Sequence, residues 1–332
     1  MNFAAGLERA FRYLLPSPFA IALLLSLVCF FLVGLTGEGS FIHNTNSALK
    51  SWNEGLYQSG LLVFMVQMML ILVLGHALAL AEPVQKLIDR ILSLSQKPAQ
   101  IATLVCFSTL MVAFFNWGLG LVFGAIMARR AGEKLSSANT PFNYGVLGAA
   151  GYSGLMVWHG GISGSAPIKV AESQHLSELM QGSAPELMAA LPERIGFTET
   201  VFSAMNLSAS LALLIALPSS IYFLAKLAPA KQHLLQAKIK KSKSTNASGA
   251  ERLDQSAWFA WIFSALIFWM LFRQIKAATA LSFLTPNFIN LLLLALGLAI
   301  HQGLGPYSRA VEEASKGAAG ILLQFPIYFG IM

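Results

Sequence analysis

The chain has 332 residues, 56% of them hydrophobic and only 11% charged, with a mean hydropathy of +0.64. Soluble globular chains carry about 25% charged residues, so this composition excludes a water-soluble domain and reads as an integral membrane protein. The formal charge of +7 is not a nucleic-acid footprint: its densest part, with Lys238, Lys240, Lys241 and Lys243, lies among Ser, Asn, Gly and Gln as a solvated linker.

Apolar runs fall at 19–35, 56–81, 98–128, 143–158, 200–225, 255–272 and 284–300. Most reach the roughly 20 residues that a helix needs to cross a bilayer core. The first run follows Arg9 and Arg12 with no small-x-small cleavage site after it, and is read as a retained span. All 22 Lys/Arg and all 15 Asp/Glu lie outside the runs. A carboxylate proton relay at membrane depth is therefore not expected. Cys29 and Cys106 sit inside runs, so neither a disulfide framework nor a metal site follows.

The 98–128 run decides the topology. If it crossed once, segments 82–97 and 129–142 would lie on opposite faces and the basic linker would lie outside. If it enters and returns, segments 1–18, 82–97, 129–142, 226–254 and 301–316 gather 17 basic residues on one side, against five on the other. Lys and Arg concentrate in cytoplasmic loops, so this sorting predicts a re-entrant helical hairpin and a cytoplasmic N-terminus. The competing reading is one long tilted helix with a glycine face.

Two breaks interrupt the apolar pattern: Asn116-Trp117-Gly118-Leu119-Gly120, and Trp158-His159-Gly160-Gly161-Ile162-Ser163-Gly164-Ser165-Ala166-Pro167. Freed backbone groups survive in lipid only when buried in protein or lining a wet cavity, and paired broken helices at depth mark a solute site. Asn116 supplies an acceptor and two donors, and the glycines allow close approach. Gly118, Gly120 and Gly124 also fit plain helix packing. The amides of 160–165 with the Ser163 and Ser165 hydroxyls can surround a carboxylate, or offer oxygens to Na⁺. Pro167 keeps a helix from running through this stretch. His159 is the candidate for proton coupling, with a hydrogen-bonded packing role as the equal alternative. Candidate substrate-binding residues are thus Asn116, Gly118, Gly120, Gly160, Gly161, Ser163, Gly164 and Ser165. Gly161-Ile162-Ser163-Gly164 also has the G-x-S-G form of an intramembrane serine protease, which would need His76 or His301 as base. An anion channel is the third reading.

Four stretches together resemble a known family: Gly75-His76-Ala77-Leu78-Ala79; Asn116 through Ala125; Tyr152-Ser153-Gly154 through Pro167; and Ala318-Ala319-Gly320-Ile321-Leu322-Leu323-Gln324-Phe325-Pro326-Ile327-Tyr328. In this order along the chain, they resemble the short-chain fatty acid transporter family of the ion transporter superfamily. The resemblance implies uptake of short-chain carboxylates such as butyrate or acetoacetate across a bacterial inner membrane. It implies substrate contact at Asn116, Gly118, Gly120, Ser163 and Ser165, with His159 a weaker candidate. It also implies a longer protein with a second Asn- and Gly-rich hairpin, so a C-terminal truncation is expected here. The expected fold is an all-α polytopic membrane protein with a re-entrant hairpin at 98–128 and a broken helix at 143–167. An N-terminal half runs over 1–225, a basic linker over 226–254, and the start of an incomplete second half of an inverted repeat over 255–332. No cofactor is expected beyond a coupling H⁺ or Na⁺. The expected partners are the carboxylate and the lipid bilayer, with a homo-oligomer also in view.

Overall fold

A computed structural model of the chain describes residues 13–180, 184–231, 249, 251–278 and 281–332. The described residues are helical, and no strand occurs among them beyond an isolated bridge between Phe142 and Lys231. In chain order, the first helices are α1 (Pro18–Thr36), α2 (Phe41–Leu56), α3 (Ser59–Ala79), α4 (Glu82–Leu92), α5 (Pro98–Phe115), α6 (Trp117–Ser137) and α7 (Tyr144–Tyr152). The short α8 (Ser165–Val170), α9 (His175–Leu179) and α10 (Pro185–Ala190) precede α11 (Ala204–Leu227). Then come α12 (Glu251–Asp254), α13 (Ala257–Ala277), α14 (Pro286–His301), α15 (Leu304–Ser315) and α16 (Ala319–Ile331).

Five helices, α1, α3, α5, α11 and α13, are long and apolar enough to cross a membrane, and α14 is a shorter apolar one. Their starts follow from local sequence. Ser17, Asn116, Ser203, Ser256 and Thr285 each accept a first-turn N–H as N-cap, and proline stands in the first turn of α1, α5 and α14. Leu211 and Ile215 on α11, and Trp258 and Trp269 on α13, are well exposed. Contiguous apolar surface of this kind suits lipid rather than water.

The chain divides into two compact units. One holds α1, α2, the first half of α3 and the stretch Lys316–Met332. There, α2 occupies much of 36–55, the segment between the first two apolar runs. Its mixed composition hides it from a hydropathy reading, and its fixing is tertiary. The Asn44 amide donates to the carbonyls of Gly34 at 3.3 Å and Gly39 at 3.2 Å, and accepts from the Gly39 N–H. Gly330 lies against the Trp52 ring and Gly55 against the Phe329 backbone, so α2 also packs on α16.

The second unit runs from Leu70 to Ser315. Its core is built from α4 to α7 and α11, around buried Ile88, Ile101, Val105, Leu110, Met127, Leu135 and Leu147. α13 and α14 pair separately, with the Ser264 hydroxyl donating to the Ala295 carbonyl at 2.7 Å and the Trp261 indole to Ala299 at 3.1 Å. Both sit on helices with few polar side chains, where such bonds have little competition from water.

The 98–128 run is a helical hairpin. α5 ends at Phe115, Asn116 alone is extended, and α6 starts at Trp117. The two legs pack along their length, with Gly120 against Ala113 near the tip. At the open end the Lys134 ammonium donates to the carbonyls of Leu92 and Ser95, just before α5, and Arg130 pairs with Asp89. The outer ends of the two legs are therefore held close together. α5 has 18 residues, about 27 Å of helix.

The broken helix of 143–167 is shorter than its apolar run. α-Helix stops at Tyr152, two 3-10 turns follow at Ser153–Met156 and Trp158–Gly160, and α8 starts at Ser165. Pro167 sits in the first turn of α8, where its missing N–H costs nothing. Of the expected linker 226–254, residues 232–248 and 250 lie outside the described residues.

Candidate functional site

The two breaks meet at the start of α6. Asn116 is fully buried, and its extended backbone ends one helix and starts the next. Its N–H closes α5 on the Val112 carbonyl at 2.8 Å, and its side-chain oxygen accepts the Leu119 N–H at 2.8 Å. From the second break, the buried Ser163 hydroxyl accepts the Trp117 N–H at 2.8 Å. Ile162 N–H donates to the Phe114 carbonyl at 2.8 Å, the last turn of α5. One break thus satisfies the loose backbone groups of the other, and no lipid-exposed peptide is needed.

The satisfaction is incomplete in one direction. The Asn116 side-chain amide nitrogen and the Trp117 indole N–H are buried without a hydrogen-bond partner among the described residues. Gly120 N–H goes back to the Asn116 carbonyl. What remains at the head of a 21-residue helix is a set of donors with no acceptor. A helix start carries about half a positive charge. A buried donor left unpaired costs about 1–3 kcal/mol. The arrangement presents hydrogen-bond donors and no fixed cation.

The structure assigns the glycines mixed roles. Gly118 lies against the Leu72 backbone of α3, and a Cβ there would stand 2.7 Å from the Leu72 Cα. Gly75 of α3 is equally tight on the Leu119 N–H. Gly118 and Gly120 are therefore both sites of close helix packing. Gly161 presses on the Phe114 carbonyl, and Gly164 on the carbonyls of Trp158, His159 and Gly161. Gly160 offers its carbonyl to the Asn206 side chain at 2.9 Å. Ser165 is the first residue of α8 and half-buried. His159 is exposed, with its ring 3.9 Å from that of Trp158, and takes no place in the buried cluster. Trp158 in turn lies 5.3 Å from Trp117, ring to ring, and roofs the tip.

Sequence reading missed three contributors. Asn206, in the first turn of α11, donates to Gly160 at 2.9 Å and to Val201 at 2.7 Å, so it holds the second break from behind. Thr109 on α5 is fully buried beside Gly154 and Gly124, and its hydroxyl has no partner among the described residues. Ser153 bonds the Cys106 thiol at 3.2 Å. The available signal was the same for all three, a small polar residue inside or at the edge of an apolar run. Ser163 has no hydrogen-bonded histidine among the described residues; its hydroxyl oxygen serves Trp117, and the His301 ring bonds the Ala77 carbonyl at 2.8 Å.

Ser163→Ala leaves the Trp117 N–H without its acceptor in a buried place. The expected loss is about 1–3 kcal/mol, read as a lower midpoint in thermal unfolding of the detergent-solubilised protein. Ser163→Thr keeps the acceptor and is expected to recover most of it.

Apolar helices, a hairpin whose outer ends are held close together and a second break docked on its tip define a polytopic membrane protein of the transporter kind. The chain belongs to the short-chain fatty acid transporter family, whose model matches residues 3–332. A protein of Escherichia coli K12, provisionally named a short-chain fatty acid transporter, is 32% identical over 334 residues, covering 96% of this chain and 68% of that protein. A Haemophilus influenzae protein of the same provisional name is 31% identical over 324 residues, covering 96% of this chain and 69% of its own length. No solved structure matches the chain. The chain spans about two thirds of the length of each of these two relatives.

Proposed function

We propose that the protein is a secondary transporter that moves short-chain monocarboxylates, of the butyrate or acetoacetate kind, by alternating access with H⁺ or Na⁺ as coupling ion. The observation that carries this reading is the buried, acceptor-less donor set at the head of α6, made of the Asn116 amide and the Trp117 indole N–H and clasped by Ser163. A carboxylate brings only acceptors when ionised, and so supplies what these groups lack. Helix-end dipoles take the place of a fixed cation. Ser165 belongs to the same proposed cradle, with Asn206 and Trp158 positioning it. The Gly161 and Gly164 N–H groups turn back onto the Trp158 and Gly161 carbonyls and shape the loop instead.

Moving a bare anion inward against a negative interior costs about 2.3 kcal/mol per 100 mV, so a cation must accompany it. Neutral oxygens near the second break suit Na⁺, and His159 suits H⁺ from its exposed position. The proposal includes the bacterial inner membrane, a cytoplasmic N-terminus, and the division into a first half to residue 225 and the start of a second from 255.

The test is uptake of labelled butyrate into proteoliposomes holding the protein, with proton and sodium gradients imposed separately. Saturable uptake driven by one gradient is the expected result; no uptake with either removes the proposal. Orientation has its own test. Cysteines placed at Arg90 and Lys134 are expected to react with an impermeant thiol reagent from the cytoplasmic side alone. Labelling from opposite faces would mean that 98–128 crosses once.

A further inference from the structure

A hollow of about 540 Å³ lies beside the hairpin, walled by α3, α6 and α7. Small-ligand pockets occupy roughly 300–1,000 Å³. The hollow is separate from the tip: Asn116, Trp117 and Ser163 do not line it. Val122 and Ile126 of α6 give it an apolar wall, and Gly148 of α7 keeps it open. His76 of α3 stands at the end nearer the tip, one residue beyond Gly75, which presses on Leu119. Arg129 closes the other end, about 10 Å further along α6 from Val122.

The chemistry of that wall is asymmetric. Arg129 gives its Nε–H to Glu133, one turn on, at 2.8 Å, and its two Nη groups have no partner among the described residues. An open guanidinium fork matches the two oxygens of a carboxylate. Between it and His76 the lining is uncharged and mostly apolar, with the rings of Tyr144 and Tyr152 at its side, so the rest of the ligand is a short hydrocarbon rather than a second charge. Glu133 offsets part of the arginine's charge, which lets a bound anion leave again, as a conducting path requires.

We propose that this hollow is a second binding site for the transported anion, a short-chain monocarboxylate with its oxygens on the Nη fork of Arg129 and its alkyl chain along Val122 and Ile126. It would serve as a station between the hairpin tip and the water at the open end of the hairpin. The identity of the ligand rests on the function proposed above; the existence of a carboxylate site here does not.

The probe is 4,4-azipentanoate, a five-carbon carboxylate with a photoreactive diazirine, applied to the whole protein in nanodiscs and mapped by peptide mass spectrometry. Adducts are expected within 121–129 and 144–152, and butyrate in excess should suppress them. Gly148→Phe fills the hollow from a position where an added Cβ meets nothing within 4 Å. It is expected to cut these adducts at least tenfold while sparing any at 114–119. Arg129→Gln is expected to do the same without filling space. Adducts that survive both variants overturn the proposal. So do adducts here that yield to phosphatidylglycerol and not to butyrate, which would mark a lipid site. Butyrate-sensitive adducts confined to 114–119 and 158–165 would keep the proposed function and remove the second site. No butyrate-sensitive adduct anywhere would remove both.

Discussion

Asn116→Asp is expected to abolish butyrate uptake while leaving the protein folded. The substitution keeps the shape of the side chain and the oxygen that caps Leu119 at 2.8 Å. It replaces the partnerless amide nitrogen with a second oxygen, and it adds a negative charge at the spot proposed for the carboxylate. Two like charges about 4 Å apart at an effective dielectric near 20 repel by about 4 kcal/mol, a loss of about a thousandfold in affinity. An anion at a helix start is itself favourable, so the hairpin should hold. Asn116→Ala separates the two duties. It removes the cap, for about 1 kcal/mol of stability, and removes the donor without adding repulsion, so uptake should fall less than with aspartate. Uptake in proteoliposomes and thermal unfolding of the same preparations read both. Equal uptake by the aspartate variant and the parent would show that the amide nitrogen faces no substrate.

Gly124→Ala is expected to be among the most destabilising single-methyl additions in the chain. α6 and α7 cross with Gly124 and Gly151 backbone to backbone, and a Cβ on either glycine lands on the other's carbonyl oxygen. Neither obstacle is a flexible side chain that can swing away. The helices must separate, and Thr109 and Ala128, which flank the crossing, lose their contacts with it. Overpacking of this kind costs about 1–3 kcal/mol. At the upper end, the unfolding midpoint should drop by roughly 10 °C for a unit of this size. Gly148, on the same helix as Gly151, gives the contrast. Nothing lies within 4 Å of a Cβ placed there, so Gly148→Ala should be neutral or stabilise by about 0.5–1 kcal/mol through helix propensity. If both alanines behave alike, the close crossing is not what holds these helices together.

The separation of Gly124 from Gly148 shows where sequence reading stops. Both are glycines in apolar helices, and spacing alone assigns them the same packing role. Their difference is set by what lies across the gap, and that depends on residues more than 20 positions away. The same holds for Ser163 and Asn206. A serine in a Gly/Ser string and an asparagine at the edge of an apolar run each announce a polar group that needs a partner. Which partner is found, Trp117 or Gly160, depends on how the hairpin and α11 dock. α2 shows the converse gap: its low hydropathy conceals it, because it is held by the Asn44 tie back to Gly34 and by packing on the distant α16.

By itself the sequence determined the membrane class, the positions of the long apolar helices and the two breaks, one of them at Asn116 inside the 98–128 run. Hydropathy, helix capping and the sorting of basic residues act over one or two helix lengths, and each can be read from neighbours along the chain. Only the tertiary structure decided that the breaks clasp each other, that Gly118 and Gly120 sit tight against Leu72 and Ala113, that His159 is exposed, and that a hollow ending at Arg129 runs beside the hairpin. Those outcomes depend on which backbone groups are satisfied once helices distant in sequence are pressed together. In an apolar core, a donor with no acceptor is conspicuous only after every neighbour has been placed.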